Sequence, residues 1–124
     1  NNDLQNVYNC PIIGYKKSDD RIENMEYKYN DGDVFKINGN GIEFIVFDCK
    51  GHTIDHCGYY NKLNNILFVG DTLFGLGCGK LFEGTFNDMY NTMNNILNVC
   101  QYNRDAIIFC AHEYTLNNAK FALS

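Results

Sequence analysis

Ile66-Leu67-Phe68-Val69-Gly70-Asp71-Thr72-Leu73-Phe74-Gly75-Leu76-Gly77-Cys78-Gly79-Lys80-Leu81-Phe82-Glu83-Gly84-Thr85 joins an apolar run, a carboxylate and a glycine-rich turn in twenty residues. Ile66 to Val69 is continuously apolar, which predicts a strand covered on both faces. Asp71 follows at once, and a carboxylate at the end of a buried strand is costly unless it is paired or metal-bound. Gly75 to Lys80 is not a phosphate loop, because Lys80 is followed by Leu81 and the GxxxxGK[ST] spacing is missing. Its glycines predict a tight turn and close backbone approach instead. Thr85 then caps a helix, with Asp88 at the third position completing a box-like pattern. Phe86, Met89, Tyr90, Met93, Ile96 and Leu97 recur at helical spacing as one apolar stripe.

Downstream, Ala106 to Cys110 is a second continuously apolar strand, and Leu116 to Leu123 reads as a helix that packs Phe121 and Leu116 or Ala122 inward. Upstream, Cys10 to Tyr15 reads as a short strand, Lys16 to Glu26 as polar and irregular, and Tyr27 to Tyr29 as extended. Val34 to Ile37 and Ile42 to Phe47 are partners in a hairpin closed by Asn38-Gly39-Asn40-Gly41, with the turn Asn30 to Asp33 before it. Cys57 to Tyr60 is a further strand, joined by the turn Lys62 to Asn65 to the strand at Ile66. Antiparallel-capable strands followed by strand, helix, strand, helix predict an α/β layered fold with a mixed sheet flanked by helices.

Composition narrows the function. The 124 residues fit one domain at most, with 45% apolar and 15% aromatic residues and a net charge of -5. The ten Lys and Arg are scattered, which argues against nucleic acid and anionic membranes as partners. No apolar run approaches the ~20 residues of a membrane span. The six cysteines show no CxxC spacing, so they read as buried free thiols in a reducing compartment, the cytoplasm, and not as a zinc site. The start at Asn1 without a methionine and the end inside a helix predict a piece of a longer protein.

All three histidines flank the opening stretch. His52 and His56 lie in Gly51-His52-Thr53-Ile54-Asp55-His56, and His112 lies in Ala111-His112-Glu113-Tyr114-Thr115. His52, Asp71 and His112 each follow a strand, where α/β folds place ligands. Two imidazoles and a carboxylate suit zinc, iron or manganese, and Asp71 can bridge two cations. His56 reads as a structural residue, or one that orients a ligand or bonds backbone, since its segment is a loop entering a strand. Lys80 is a candidate contact for a substrate carboxylate, and Tyr114 one for a substrate through its hydroxyl. A Cys57–His56 nucleophile is geometrically poor, because neighbours in a strand point to opposite faces.

The segments GHTIDH, GDTLFGLGCGKLFEGT and AHEYTLNNAKFA resemble the glyoxalase II family, the hydroxyacylglutathione hydrolases of the metallo-β-lactamase superfamily. The resemblance runs from Asp48 to Ser124, and Asn1 to Phe47 fits the preceding region loosely. It implies a partial metallo-β-lactamase-like αββα domain over residues 1–124. It implies a binuclear divalent metal centre, zinc first and iron or manganese next. His52 would bind one metal, His112 the other, and Asp71 both. Lys80 and Tyr114 would contact the glutathione moiety. The implied reaction is hydrolysis of a glutathione thioester such as S-lactoylglutathione to glutathione and a 2-hydroxy acid, by a protein monomeric at full length. Departures accompany the likeness: the THxHxDH motif with four of seven ligands is absent, as is the C-terminal helical region. Phe82 replaces a common tyrosine, Lys50 a proline and Asp55 a small residue. A persulfide dioxygenase-type relative, or an inert fragment or degenerate binding domain, stands as the alternative.

Overall fold

The computed structural model describes residues 1–37, 41–101 and 105–124. The expected hairpin turn at Asn38 to Gly41 falls mostly outside the described residues. Among the described residues, nine strands and three α-helices run in the order α1 (Asn2–Tyr8), β1 (Ile12–Tyr15), β2 (Met25–Tyr29), β3 (Val34–Ile37), β4 (Ile42–Asp48), β5 (Cys57–Asn61), β6 (Ile66–Gly70), β7 (Leu73–Phe74), β8 (Gly77–Cys78), α2 (Phe86–Gln101), β9 (Ile107–Cys110) and α3 (Thr115–Ala122). A five-stranded mixed sheet has the order β3-β4-β5-β6-β9, antiparallel up to β6 and parallel between β6 and β9. The pair β1-β2 is a small parallel sheet of its own, and β7-β8 is a short hairpin over the Gly75-Leu76 turn.

The period-two alternation of the strands sorts side chains onto two faces. Leu67 and Val69, both fully buried, pack with Ile96 of α2, joined by Phe47, Tyr60 and Val99. On the other face Tyr15, Phe35 and Val46 form a second cluster, so β1-β2 covers the β3 to β5 end of the sheet. Cross-strand register extends that face into an aromatic ladder: Phe35 to Phe44 at 5.5 Å, Phe44 to Phe68 at 5.9 Å, and Phe68 to Phe109 at 5.0 Å between centroids.

This layout corrects four expectations. Strand β6 is covered on one face only, since Phe68 is 40% exposed, and all four residues of β9 are exposed. Two strands opposite the sheet reach β5 and no further, and β9 is the outermost strand. Helix α2 buries Met89, Thr92 and Ile96, while Phe86, Tyr90 and Leu97 face outward. The rotation is set by the turn it packs against: Thr92 Oγ1 donates to the Lys50 carbonyl at 2.8 Å, and Met89 lies against Gly51. Helix α3 turns Asn118 and Ala119 inward and leaves Leu116 and Phe121 exposed, because Asn118 Nδ2 donates to the Gly75 carbonyl at 2.9 Å. The six thiols are free, but Cys10, Cys78 and Cys110 are exposed and only Cys49 is fully buried.

Helix α1, with no buried residue, has no expectation behind it, since a polar Asn-rich segment carries no apolar periodicity. Lys16–Ser18 forms a 3-10 turn in the segment expected to be irregular. The capping pattern of α2 is as expected: Asp88 N–H donates to Thr85 Oγ1 at 3.2 Å, and Thr85 N–H donates to Asp88 Oδ2 at 2.8 Å. No helix among the described residues is long and apolar enough to cross a membrane.

Candidate metal centre

Topology brings the three candidate ligands to one end of the sheet. Strands β6 and β9 are parallel neighbours, paired Phe68 to Phe109 and Gly70 to Cys110, so the residues that follow them emerge side by side. The Ala111 N–H donates to the Gly70 carbonyl at 3.0 Å and closes that junction. Strand β5 runs antiparallel to both β4 and β6, so the loop between Asp48 and Cys57 reaches the same end. The result is a cleft of about 360 Å³ lined by His52, Asp71, Lys80, Phe82, His112 and Tyr114, among others. That size falls within the range of small-molecule sites.

Asp71 stands between the two histidines. His112 Nε2 lies 3.1 Å from Asp71 Oδ1, and His52 Nε2 lies 3.9 Å from Asp71 Oδ2. Each imidazole therefore addresses a different oxygen. Among the described residues, no three His, Cys, Asp or Glu side chains converge as a group that would hold one ion. The three candidates thus line one cleft without closing on a single point.

The orientation of His52 is determined by its other ring nitrogen. Nδ1 lies 2.8 Å from the Lys80 carbonyl oxygen, which can only accept, so Nδ1 carries the proton. In the neutral ring, Nε2 then presents a lone pair toward an anionic oxygen. Two electron-rich atoms facing each other are repulsive unless a proton or a cation lies between them. The chemistry of these donors admits a shared proton or a cation between them, and the Lys80 carbonyl is the outer partner that orients the His52 ring.

Gly79 makes this possible. A Cβ at position 79 would fall inside the Asp71 carbonyl oxygen and 3.1 Å from His52 Nδ1. The glycine-rich turn thus serves close packing of backbone beneath the site, as its composition suggests.

The remaining candidates surround this centre. His56 Nε2 donates to the Val69 carbonyl at 3.3 Å. Its ring is 5.8 Å from that of His52. Tyr114 stacks on His112 at 4.9 Å with planes 10° apart, and Phe74 meets Tyr114 edge-on at 5.3 Å. Lys80 Nζ sits 5.2 Å from the Phe82 ring centroid, and Phe82 meets His52 edge-on at 5.1 Å. Burial pushes the thiols of Cys49 and Cys57 up, so neither supplies the thiolate a cysteine nucleophile needs.

Sequence reading missed Arg21, Asp55 and Glu83, which form an ion cluster beside the His52 loop. Arg21 and Glu83 are separated by 62 positions, and no local pattern signals such a pair.

No family model matches the chain. It is 37% identical over 124 residues to a hydroxyacylglutathione hydrolase of Pelagibacter ubique (strain HTCC1062), covering 100% of this chain and 50% of that relative. Among solved structures it is similar to ETHE1 from Myxococcus xanthus, with a TM-score of 0.75 and 21% identity over 91% of this chain and 47% of that one. It is similar also to the metallo-β-lactamase IND-7, with a TM-score of 0.69 and 17% identity over 98% of this chain and 61% of that one. At those identities the structural likeness speaks for the fold alone. The chain spans about half the length of the curated relatives it matches. Layered fold, sheet-end cleft and sequence likeness agree: the chain belongs to the glyoxalase II-like family of metallo-β-lactamase-fold proteins.

Proposed function

We propose that this chain supplies one half of the active site of a glutathione thioester hydrolase, and that its 124 residues alone are catalytically silent. The observation that carries the proposal is Asp71, flanked on its two oxygens by His112 and His52. Residues 1–124 are then part of one metallo-β-lactamase-like domain. His52 would help hold one divalent ion, His112 a second, and Asp71 both; zinc, iron and manganese all suit these donors. Such ions, when bound, lower the pKa of water and polarise a carbonyl, which is the chemistry thioester hydrolysis requires.

The chain's own residues do the rest. The Lys80 carbonyl keeps the His52 Nδ1 proton in place and leaves Nε2 free as a ligand. His56 fixes its loop through the Val69 carbonyl. Lys80 Nζ, on the cleft wall, would bind a carboxylate of the glutathione moiety as a point charge. Tyr114, held against His112, would offer its hydroxyl to the same group. Phe82 and Phe74 supply apolar walls that limit water around the reacting thioester. Phe82 cannot donate the hydrogen bond a tyrosine would give there.

The count of donors supports the silent reading of the isolated chain, since the described residues hold no metal-ligating group of three. The two parts of the proposal separate in one experiment. Residues 1–124 replace the matching half of the Pelagibacter ubique hydroxyacylglutathione hydrolase, and the hybrid and the isolated chain are compared for bound zinc and hydrolysis of S-lactoylglutathione. The expected result is zinc and activity in the hybrid, loss of both on Asp71→Ala, and neither in the isolated chain. A folded hybrid that binds zinc but does not hydrolyse the thioester overturns the hydrolase reading. Oxygen consumption with glutathione persulfide by that hybrid would favour the dioxygenase alternative. Stoichiometric binding of two metal ions by the isolated chain would overturn the silent reading.

A further inference from the structure

The loop that carries His52 is held by the segment Lys80 to Gly84 through its backbone. Phe82 N–H donates to the His52 carbonyl at 3.1 Å, and Gly84 N–H donates to the Gly51 carbonyl at 3.1 Å. Gly51 and Gly84 are in face-to-face contact, such that a Cβ at Gly84 would lie 2.6 Å from Gly51 Cα. The Lys80 carbonyl completes the set by accepting the His52 Nδ1 proton. Nothing in this ribbon of backbone contacts is strong by itself, since an ordinary hydrogen bond adds little net stability.

One charged side chain ties the two segments together. The Glu83 carboxylate accepts the Ile54 N–H at 3.0 Å, two residues beyond His52. Its two oxygens also receive Arg21 Nη1 at 3.0 Å each, and the same Nη1 reaches Asp55 Oδ1 at 3.2 Å. Asp55 is buried and lies on the His52 loop, so Arg21 bridges a carboxylate on each segment. The Ile54 N–H first, then Arg21, holds the Glu83 carboxyl below the usual carboxylate range. Both anions need a cation between them, because without Arg21 the loop and the ribbon would repel each other.

We propose that Glu83 and Arg21 are positioning residues that lock the His52 loop onto the Lys80–Gly84 segment and so select the Nδ1-protonated form of His52. Neither residue touches the cleft's candidate ligands. Their effect passes through the backbone: Glu83 and Arg21 fix Ile54 and Asp55, the Gly51–His52 carbonyls stay registered with Phe82 and Gly84, and the Lys80 carbonyl meets Nδ1. The consequence for metal binding rests on the function proposed above; the positioning does not.

The test uses the metal-free 124-residue chain and the hybrid enzyme. In the chain, ¹⁵N spectra of the histidine rings report the His52 tautomer, and hydrogen exchange reports the Ile54, Phe82 and Gly84 amides. Glu83→Gln is expected to speed exchange at those three amides about tenfold, the scale of one lost charge-assisted bond. It should also turn His52 from one tautomer into a mixture, with Leu67 and Val69 amides unchanged. Arg21→Lys, which keeps the charge on a shorter side chain, should fall between. Wild-type exchange and tautomer in both variants overturn the proposal, and so does an increase spread equally over Leu67 and Val69. In the hybrid, Glu83→Gln is expected to weaken zinc binding about tenfold. A hybrid that never binds zinc, beside a chain that responds as expected, sinks the functional reading and leaves the positioning intact.

Discussion

Adding a methyl group at position 79 places the whole arrangement under test. Gly79 is buried, and its φ lies outside the left-handed region, so Gly79→Ala is a steric change and not a conformational one. The new Cβ would fall inside the Asp71 carbonyl oxygen and 3.1 Å from His52 Nδ1. A flexible side-chain tip could rotate away from such a clash, but a backbone carbonyl cannot. Either the β7–β8 hairpin lifts, breaking the 3.4 Å bond from Gly79 N–H to the Thr72 carbonyl, or Asp71 moves. Overpacking in a core costs about 1–3 kcal/mol, and a backbone obstacle puts this case near the top. For a chain of this size that corresponds to a melting temperature lower by roughly 10 °C. Gly77→Ala is the matched control. Its Cβ would meet the Asn118 amide nitrogen at 2.8 Å, and a turn of that side chain relieves it at the expense of the Asn118–Gly75 bond. That change should cost about 1 kcal/mol. Thermal melts followed by circular dichroism, with ¹⁵N spectra of His52, make the comparison. A Gly79→Ala protein that melts at or above the Gly77→Ala protein, with the His52 tautomer unchanged, would refute the close-approach argument.

Three further perturbations address the fold. Leu67→Ala should cost about 2–5 kcal/mol, whereas Phe109→Ala, at a half-exposed position, should cost about 1 kcal/mol; urea denaturation of both ranks them. Thr85→Ala removes the hydroxyl that accepts the Asp88 N–H and should cost about 1 kcal/mol, seen as a lower urea midpoint with the slope unchanged. Asp48 gives a pH signature: burial raises its carboxyl pKa, but Lys17, the Lys50 N–H and Tyr15 outweigh that and hold it below the ordinary value. A depressed folded pKa stabilises above the unfolded value of about 3.9 and loses that contribution as pH falls through the folded one. Asp48→Asn should therefore melt lower than the wild type at neutral pH, and the gap should close in acid melts.

The elements with strong local signals were legible before the structure. Strands β4, β5 and β6 follow apolar runs bounded by turn residues, and α2 follows its Thr85–Asp88 cap. Their faces were harder to read. The apolar stripe read from Phe86 to Leu97 splits into two halves, with Met89 and Ile96 buried beside Thr92 and Phe86, Tyr90 and Leu97 exposed. Contact with the Lys50–Gly51 turn chose between them. Strand β9 shows the opposite case: its apolar composition suits a strand covered on both faces, yet the described chain leaves it exposed at the sheet edge.

The candidate site divides in the same way. Which residue types end which strands is legible in the chain, because apolar runs define strands and a polar residue ending one has few alternatives to a partner or a ligand. On that basis His52, Asp71 and His112 are named as candidate ligands, with His56 given a structural role beside them. Packing sets each histidine against its own oxygen of Asp71, puts the Lys80 carbonyl on His52 Nδ1, and leaves room for both at Gly79. It also brought Arg21 to Glu83 across 62 positions. Burial and periodicity are written locally in the chain, whereas an ion pair, a tautomer or a close backbone approach exists only once distant segments share one packed end of a sheet.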